Sequence, residues 1–132
     1  MKFRYYRLPS QIVKYVDIPI IPIGLDFGLY PCLVDSGSDY SFLHGLIGEA
    51  LGLSVREGEE ITIMGITGDK MTVYFHKIHF TIGGWDHNED FGFSYKMGTE
   101  LGILGRDILF NKYKVIFDQK KKIVELKDYI DS

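Results

Sequence analysis

Asp35 closes an apolar run, Cys32-Leu33-Val34, and is followed at once by Ser36 and Gly37. The stretch from Cys32 to Leu43 reads as strand, tight turn, strand, with one carboxylate delivered onto the turn. A carboxylate held in this way can accept or give a proton at a fixed place, which is the work of a general acid–base. The Ser36 hydroxyl is placed to bond backbone beneath the turn. Gly37 permits close approach of another segment where a Cβ would clash. The same three residue types are ordinary turn formers, so the triplet by itself says little.

Other chemistry-bearing groups are weaker. His44, His76, His79 and His87 do not share a ligand spacing, and His76 and His79 fall on opposite faces of one predicted strand. With a single cysteine, no metal site is expected. Gly65-Ile66-Thr67-Gly68-Asp69-Lys70 lacks the spacing of a phosphate loop and leads into a strand rather than a helix. Ser36 and Ser38 have neither a nucleophile-elbow pattern nor an evident histidine partner. The aromatic residues are read as core and strand filling, because a net charge of −3 is wrong for a nucleic-acid surface.

The elements that must position Asp35 follow from local pattern. Ile18 to Leu25 is β-like, but Pro19 and Pro22 restrict it to an edge or irregular strand. Asp26-Phe27-Gly28 is a turn, and Leu29 to Val34 returns as the arm that ends at Asp35. Leu46, Ile47, Ala50 and Leu51 lie at helical spacing, with Gly52 as a stop. Glu60–Met64 and Lys70–Ile82 are predicted strands joined by a turn at Gly65–Asp69, and Gly83-Gly84 turns the chain into a further β segment, Trp85–Tyr95. Ile103-Leu104 is a predicted buried strand, Gly105 a close-approach point and Arg106–Phe110 a short helix. Tyr113–Asp118 and Lys122–Leu126 form a last hairpin, with Lys120 and Lys121 in a solvated turn. Before Ile18 the pattern is mixed, with a loose strand over Gln11–Asp17.

The 132 residues are read as one domain, 1–132, which is long enough to bury roughly two thirds of its unfolded surface. Hydrophobic content of 45% excludes a disordered chain, and the 15 glycines among many Val, Ile, Tyr and Phe favour strands with tight turns. One cysteine excludes an internal disulfide, and Cys32 is expected in the core. The opening Met1–Arg7 has no apolar h-region and no run approaches membrane-spanning length. The expectation is therefore no membrane partner, no nucleic acid and a cytoplasmic location.

Three separated features then line up: Val34-Asp35-Ser36-Gly37, the glycine-flanked Gly65-Ile66-Thr67-Gly68, and Gly102-Ile103-Leu104-Gly105-Arg106-Asp107. In this order they resemble the retropepsin-like, single-domain aspartic proteases, the retroviral proteases and their cellular relatives, over a core of about residues 18–126. The resemblance implies a mostly β, closed β-barrel-like subunit with one or two short helices. It implies an aspartic endopeptidase without cofactor or metal, acting on a peptide or protein substrate as a homodimer. By matched position Asp35 is the catalytic residue, and Ser36, Gly37 and Ser38 complete its loop. Gly65, Ile66, Thr67 and Gly68 form a flap over substrate. Ile103, Leu104 and Gly105 thread beneath the loop, and Arg106 pairs with Asp39. Ser36 stands where Thr is commoner, and the region before Ile18 is longer than in the minimal viral pattern.

The chemistry so implied uses two carboxylates that share one proton and hold a water between them. Only Asp35 sits in an Asp-Ser/Thr-Gly context, because Asp26-Phe27-Gly28 lacks the hydroxyl and Asp107 falls in a predicted helix. A protease of this kind must then pair two chains about a two-fold axis. The expected contact joins the Asp35 loops, the flap tips and a terminal segment, either Lys2–Tyr6 or Val124–Tyr129. Ser38 is expected to donate to the outer oxygen of Asp35 and favour its ionised form. The alternative reading is an inactive domain of the same fold that binds peptides or mediates dimerisation.

Overall fold

A computed structural model describes residues 1–129. The protein is mostly β, and its central sheet closes on itself. Strand β1 (Lys2–Arg4) is followed by a hairpin, β2 (Tyr6–Pro9) and β3 (Tyr15–Ile18), that pairs only with itself. Strands β4 (Ile20–Leu25) and β5 (Gly28–Val34) form the hairpin that leads to Asp35. Pro22 and Pro31 are set opposite each other in its ladder, so the two residues without an N–H share one rung. β4 bonds its other neighbour only at Ile23 and Gly24, which matches the irregular strand that its prolines predict.

The chain continues through β6 (Phe42–His44), the short helix α1 (Gly45–Ala50) and a 3₁₀ turn, Val55–Glu57. The His44 Nδ1 accepts from the Leu46 N–H at 3.0 Å and starts α1; Gly52, at φ 83°, follows its end. A long hairpin comes next, β7 (Glu59–Met64) and β8 (Lys70–Ile82), then β9 (Trp85–Ser94) and β10 (Gly102–Leu104). Arg106–Phe110 is a π-helical turn rather than a regular helix. The last hairpin is β11 (Tyr113–Asp118) and β12 (Ile123–Asp128).

The main sheet runs β4-β5-β10-β6-β9-β8-β7, and the extra β4–β8 pairing closes six of those strands into a barrel. Alternation sets its interior. Ile78, Phe80 and Ile82 of β8 and Phe91 and Phe93 of β9 point inward and are buried, while Lys77 and His79 between them face water. Phe80 meets Phe91 edge-on, with ring centroids 5.1 Å apart. Gly92 carries no side chain because a Cβ there would lie 2.4 Å from Val73 Cγ1. No helix among the described residues is long and apolar enough to cross a membrane.

The two ends of the chain meet in a separate three-stranded sheet, in the order β1-β12-β11. Lys2, Phe3 and Arg4 face Glu125, Val124 and Ile123, and the buried Val124 and Leu126 join the common core. Strand β12 pairs with β11 along its whole length, from Ile123 to Asp128, and with β1 only over Ile123–Glu125. The edges of this sheet are β1 and β11.

Candidate active site

Asp35 follows directly on β5, half-buried, at the head of a turn over Ser36-Gly37. Its Oδ1 accepts from the Gly37 N–H at 2.9 Å, and its backbone N–H donates to the Leu104 carbonyl at 3.0 Å. The second bond follows from topology. β10 runs parallel to β5, with Gly102, Ile103 and Leu104 opposite Cys32, Leu33 and Val34, so the ends of both strands arrive at the turn together. Ile103 also faces Phe42 of β6, which leaves the turn on the far side. Leu104 is fully buried, whereas Ile103 is only partly so.

Gly105 explains the closeness of that packing. A Cβ on it would fall 2.2 Å from the Tyr40 carbonyl oxygen and 2.7 Å from that of Ser38. Both are backbone atoms with nowhere to go. Gly105→Ala is expected to cost about 2 kcal/mol or more and to lower the melting temperature by roughly 5–10 °C. Gly98 has open space around it, and Gly98→Ala should stay within about 0.5 kcal/mol of wild type in the same thermal melts.

Arg106 lies against the other side of the turn. Its backbone N–H donates to the Ser38 carbonyl at 2.8 Å, its Nη1 to the Ser36 carbonyl at 2.7 Å, and its Nη2 pairs with Asp39 Oδ1. The side chains of the pair are 47% and 72% exposed, so the charge interaction is worth under about 1 kcal/mol. The bonds to the Ser36 and Ser38 carbonyls matter more, because they fix where the turn sits.

One sequence expectation is overturned. The Ser38 hydroxyl donates to the Tyr40 carbonyl at 2.7 Å and not to Asp35. A serine side chain readily captures a carbonyl two residues on, and that local bond wins here. The Gly37 N–H is the group that reaches the Asp35 carboxylate.

The β7–β8 hairpin overhangs the turn. Asp35, Gly37, Ser38 and Asp39 share a cleft of about 290 Å³ with Ile63, Met64, Gly65 and Ile66, and Tyr40 and Phe42 complete its wall. Tyr40 is held edge-on against Phe75, with ring centroids 5.4 Å apart. The tip is closed by Gly65 N–H to Asp69 O at 2.8 Å and Gly68 N–H to Gly65 O at 3.0 Å, and the Thr67 hydroxyl donates to Asp69 Oδ2 at 3.1 Å. Gly68 needs its freedom, at φ 86°; Gly65 does not. Ile66 projects fully into solvent and Met64 is largely exposed. The floor of the cleft is charged and its roof apolar, which suits an extended chain with apolar side chains laid over a polar backbone.

Ser41, which no motif names, and Asp107, whose role the sequence does not show, complete the support. Ser41 is fully buried; its Oγ accepts from the Gly105 N–H at 2.9 Å and donates to Asp107 Oδ1 at 2.8 Å. The Ile108 N–H also donates to Asp107 Oδ1, at 2.8 Å. Burial pushes the Asp107 carboxyl above the usual Asp range, and these hydrogen bonds oppose the shift. The sequence signal was a serine set between Tyr40 and Phe42 at the mouth of a buried strand.

The histidines are used elsewhere. His76 Nε2 bonds the Val55 carbonyl at 2.7 Å, His79 pairs with Asp86, and His87 stacks on Phe80 and meets the Tyr113 hydroxyl at 2.9 Å. Burial first, then Lys112, holds His87 below the ordinary histidine range. No group of three or more metal-ligating side chains lies together among the described residues. Cys32 is buried behind the Asp35 strand, and that burial pushes its thiol far up, away from reactivity.

No protein-family model matches this sequence, and no curated protein matches it. Solved structures do. The chain is similar to a retropepsin-like aspartic protease from Rickettsia conorii, with a TM-score of 0.67 and 14% identity over 94% of this chain and 97% of that one. It is also similar to the EIAV protease in complex with the inhibitor HBY-793, with a TM-score of 0.56 and 21% identity over 71% of this chain and 86% of that one. The fold is that of the retropepsin-like aspartic proteases.

Proposed function

We propose that this protein is an aspartic endopeptidase that hydrolyses peptide bonds with a water activated between two Asp35 carboxylates, one from each chain of a homodimer. The observation that carries the reading is the placement of Asp35 on a turn braced by Leu104, Gly105 and Arg106, beneath a hairpin that roofs the same cleft. One carboxylate of the pair takes a proton from the water while the other gives one to the carbonyl oxygen of the scissile bond. The tetrahedral diol that forms then collapses to acid and amine. On this reading the two carboxylates hold one proton between them, so that one can accept while the other donates. The Gly37 N–H on Asp35 Oδ1 fixes the orientation of the carboxylate. The bound segment lies extended between the turn and the hairpin tip, with its side chains toward Tyr40, Phe42, Ile63 and Met64. The substrate is thus an unfolded or exposed stretch of peptide with apolar residues around the cleaved bond, and no cofactor takes part.

The test is hydrolysis of a mixture of unstructured peptides by the purified protein between about pH 3 and pH 7, with products identified by mass. Cleavage blocked by a peptide analogue carrying a tetrahedral hydroxyl at the scissile position supports the reading. Binding of that analogue without any cleavage would instead favour a peptide-binding module of the same fold.

The hairpin tip gives a further expected result. A Cβ at Gly65 meets nothing closer than the Asp69 carbonyl oxygen, at 3.8 Å, on an exposed tip, so Gly65→Val should leave the melting temperature within about 2 °C of wild type. Cleavage should fall at least about fivefold, because a branched residue stiffens a tip that must bend to admit and cover substrate. Equal turnover in the two proteins would mean that the hairpin is only a surface loop.

A further inference from the structure

We propose that Asp107 is a positioning residue for the Asp35 turn, acting at a distance through Ser41 and the backbone of Gly105. The inference rests on the protease reading for its effect on turnover, but the relay itself is a property of the fold.

The direction of the relay is fixed by chemistry. The Gly105 N–H can only donate, so Ser41 Oγ accepts from it, at 2.9 Å. The Ser41 hydroxyl has one hydrogen, and it goes to Asp107 Oδ1 at 2.8 Å. The same oxygen accepts from the Ile108 N–H, which pins the carboxylate to the start of the π-helical turn. Hydrogen bonds in such a chain strengthen one another where water is excluded, and Ser41 is fully buried.

What the relay joins is the reason to assign it a role in turnover. It ties the segment after β10, which carries Gly105 and Asp107, to the segment that leaves the Asp35 turn, which carries Ser41. Leu104, just before Gly105, holds the Asp35 N–H; Arg106, just after it, holds the carbonyls of Ser36 and Ser38. Gly105 is therefore the middle of three consecutive residues that clasp the turn, and it has room for no side chain of its own. Asp107 and Ser41 supply from outside the anchor that Gly105 cannot carry. Both lie outside the cleft-lining set, so they touch neither substrate nor the reacting atoms. Loosening them should shift the Asp35 carboxylate rather than the walls that bind substrate. That predicts a loss in kcat with little change in KM, since small misplacement of an acid–base group can cost about a hundredfold.

What the relay needs from position 107 is an acceptor oxygen and not a charge. Asp107→Asn keeps that oxygen and should hold kcat within about threefold of wild type. Asp107→Leu removes it and should lower kcat at least about tenfold with KM within about twofold. Amide hydrogen exchange read residue by residue gives an arm that needs no activity. The Gly105 amide should exchange at least about tenfold faster in Asp107→Leu and in Ser41→Ala than in wild type, and at the wild-type rate in Asp107→Asn. If Asp107→Leu does not fold, the smaller Ser41→Ala change decides both arms. A protein that cleaves no peptide removes the protease reading and leaves the exchange arm standing. Gly105 exchange unchanged in Asp107→Leu or Ser41→Ala overturns the relay. So does a loss carried in KM, or an Asp107→Asn protein as impaired as Asp107→Leu.

Discussion

Asp35→Asn is expected to abolish peptide cleavage and to leave the fold intact. The amide oxygen of asparagine can accept the Gly37 N–H as Asp35 Oδ1 does, at 2.9 Å, so the turn keeps its internal bond. The Asp35 backbone N–H still donates to the Leu104 carbonyl. The melting temperature should therefore move by no more than about 2 °C. Turnover is another matter, because an amide cannot cycle a proton. Loss of general acid–base catalysis at both halves of the dyad should reduce kcat by at least about 10³-fold. The comparison needs wild type and variant purified side by side and assayed on one peptide, with thermal melts of both. A variant that retains a tenth of wild-type turnover would sink the aspartic mechanism, whatever the fold.

The second large effect concerns assembly. On the proposed reading each chain gives one Asp in the required turn, so a monomer would hold half a dyad. Below the dissociation constant, dimer falls as the square of total protein, and specific activity must fall with dilution instead of holding constant. Mixing is sharper. With a tenfold excess of Asp35→Asn chains and free exchange, a wild-type chain finds a wild-type partner about one time in eleven. Activity per wild-type chain should settle near a tenth of its unmixed value. Labelled chains that demonstrably exchange while activity stays constant would rule out a shared site. The contact is expected to engage the Asp35 turns, the exposed Ile66 tips and a terminal segment, either the outer edge of β1 or the stretch of β12 past Leu126 that β1 leaves uncovered.

Much of the fold is legible in the sequence, and the reason is that the motifs are local. Lys70–Ile82 is bracketed by turn glycines and its strand bounds follow from them. Asp35 sits where an apolar strand meets three turn formers, and the strand, the turn and the parallel Gly102–Leu104 support are all present. What composition misjudged is the segment before Ile18. Gln11-Ile12-Val13 has strand-like residues, yet it forms the tip of a hairpin, with Ile12 almost fully exposed and the second strand not starting until Tyr15. The Ser38 hydroxyl was misassigned because a sequence does not rank a nearby carboxylate against a local carbonyl, here that of Tyr40. The bond between Ser41 and Asp107 was not legible because the two are 66 positions apart and nothing near either one names the other.

The pairing of β1 with β12 has a consequence for the way the chain acquires its structure. Lys2 faces Glu125 across more than nine tenths of the sequence. Closing so long a loop is entropically costly and late, and contacts of high sequence separation slow folding. During synthesis β1 emerges well before β12, and Phe3 stays unpartnered until Ile123–Asp128 has been made. Val124 and Leu126, both buried in the finished molecule, are then supplied from β12. Loss of that strand, by premature termination or by a nick in the Gln119–Lys122 turn followed by release, would strip two core side chains and uncover both neighbouring strand edges at once. Quality control would meet such fragments as aggregation-prone species rather than as a weakened but folded protein.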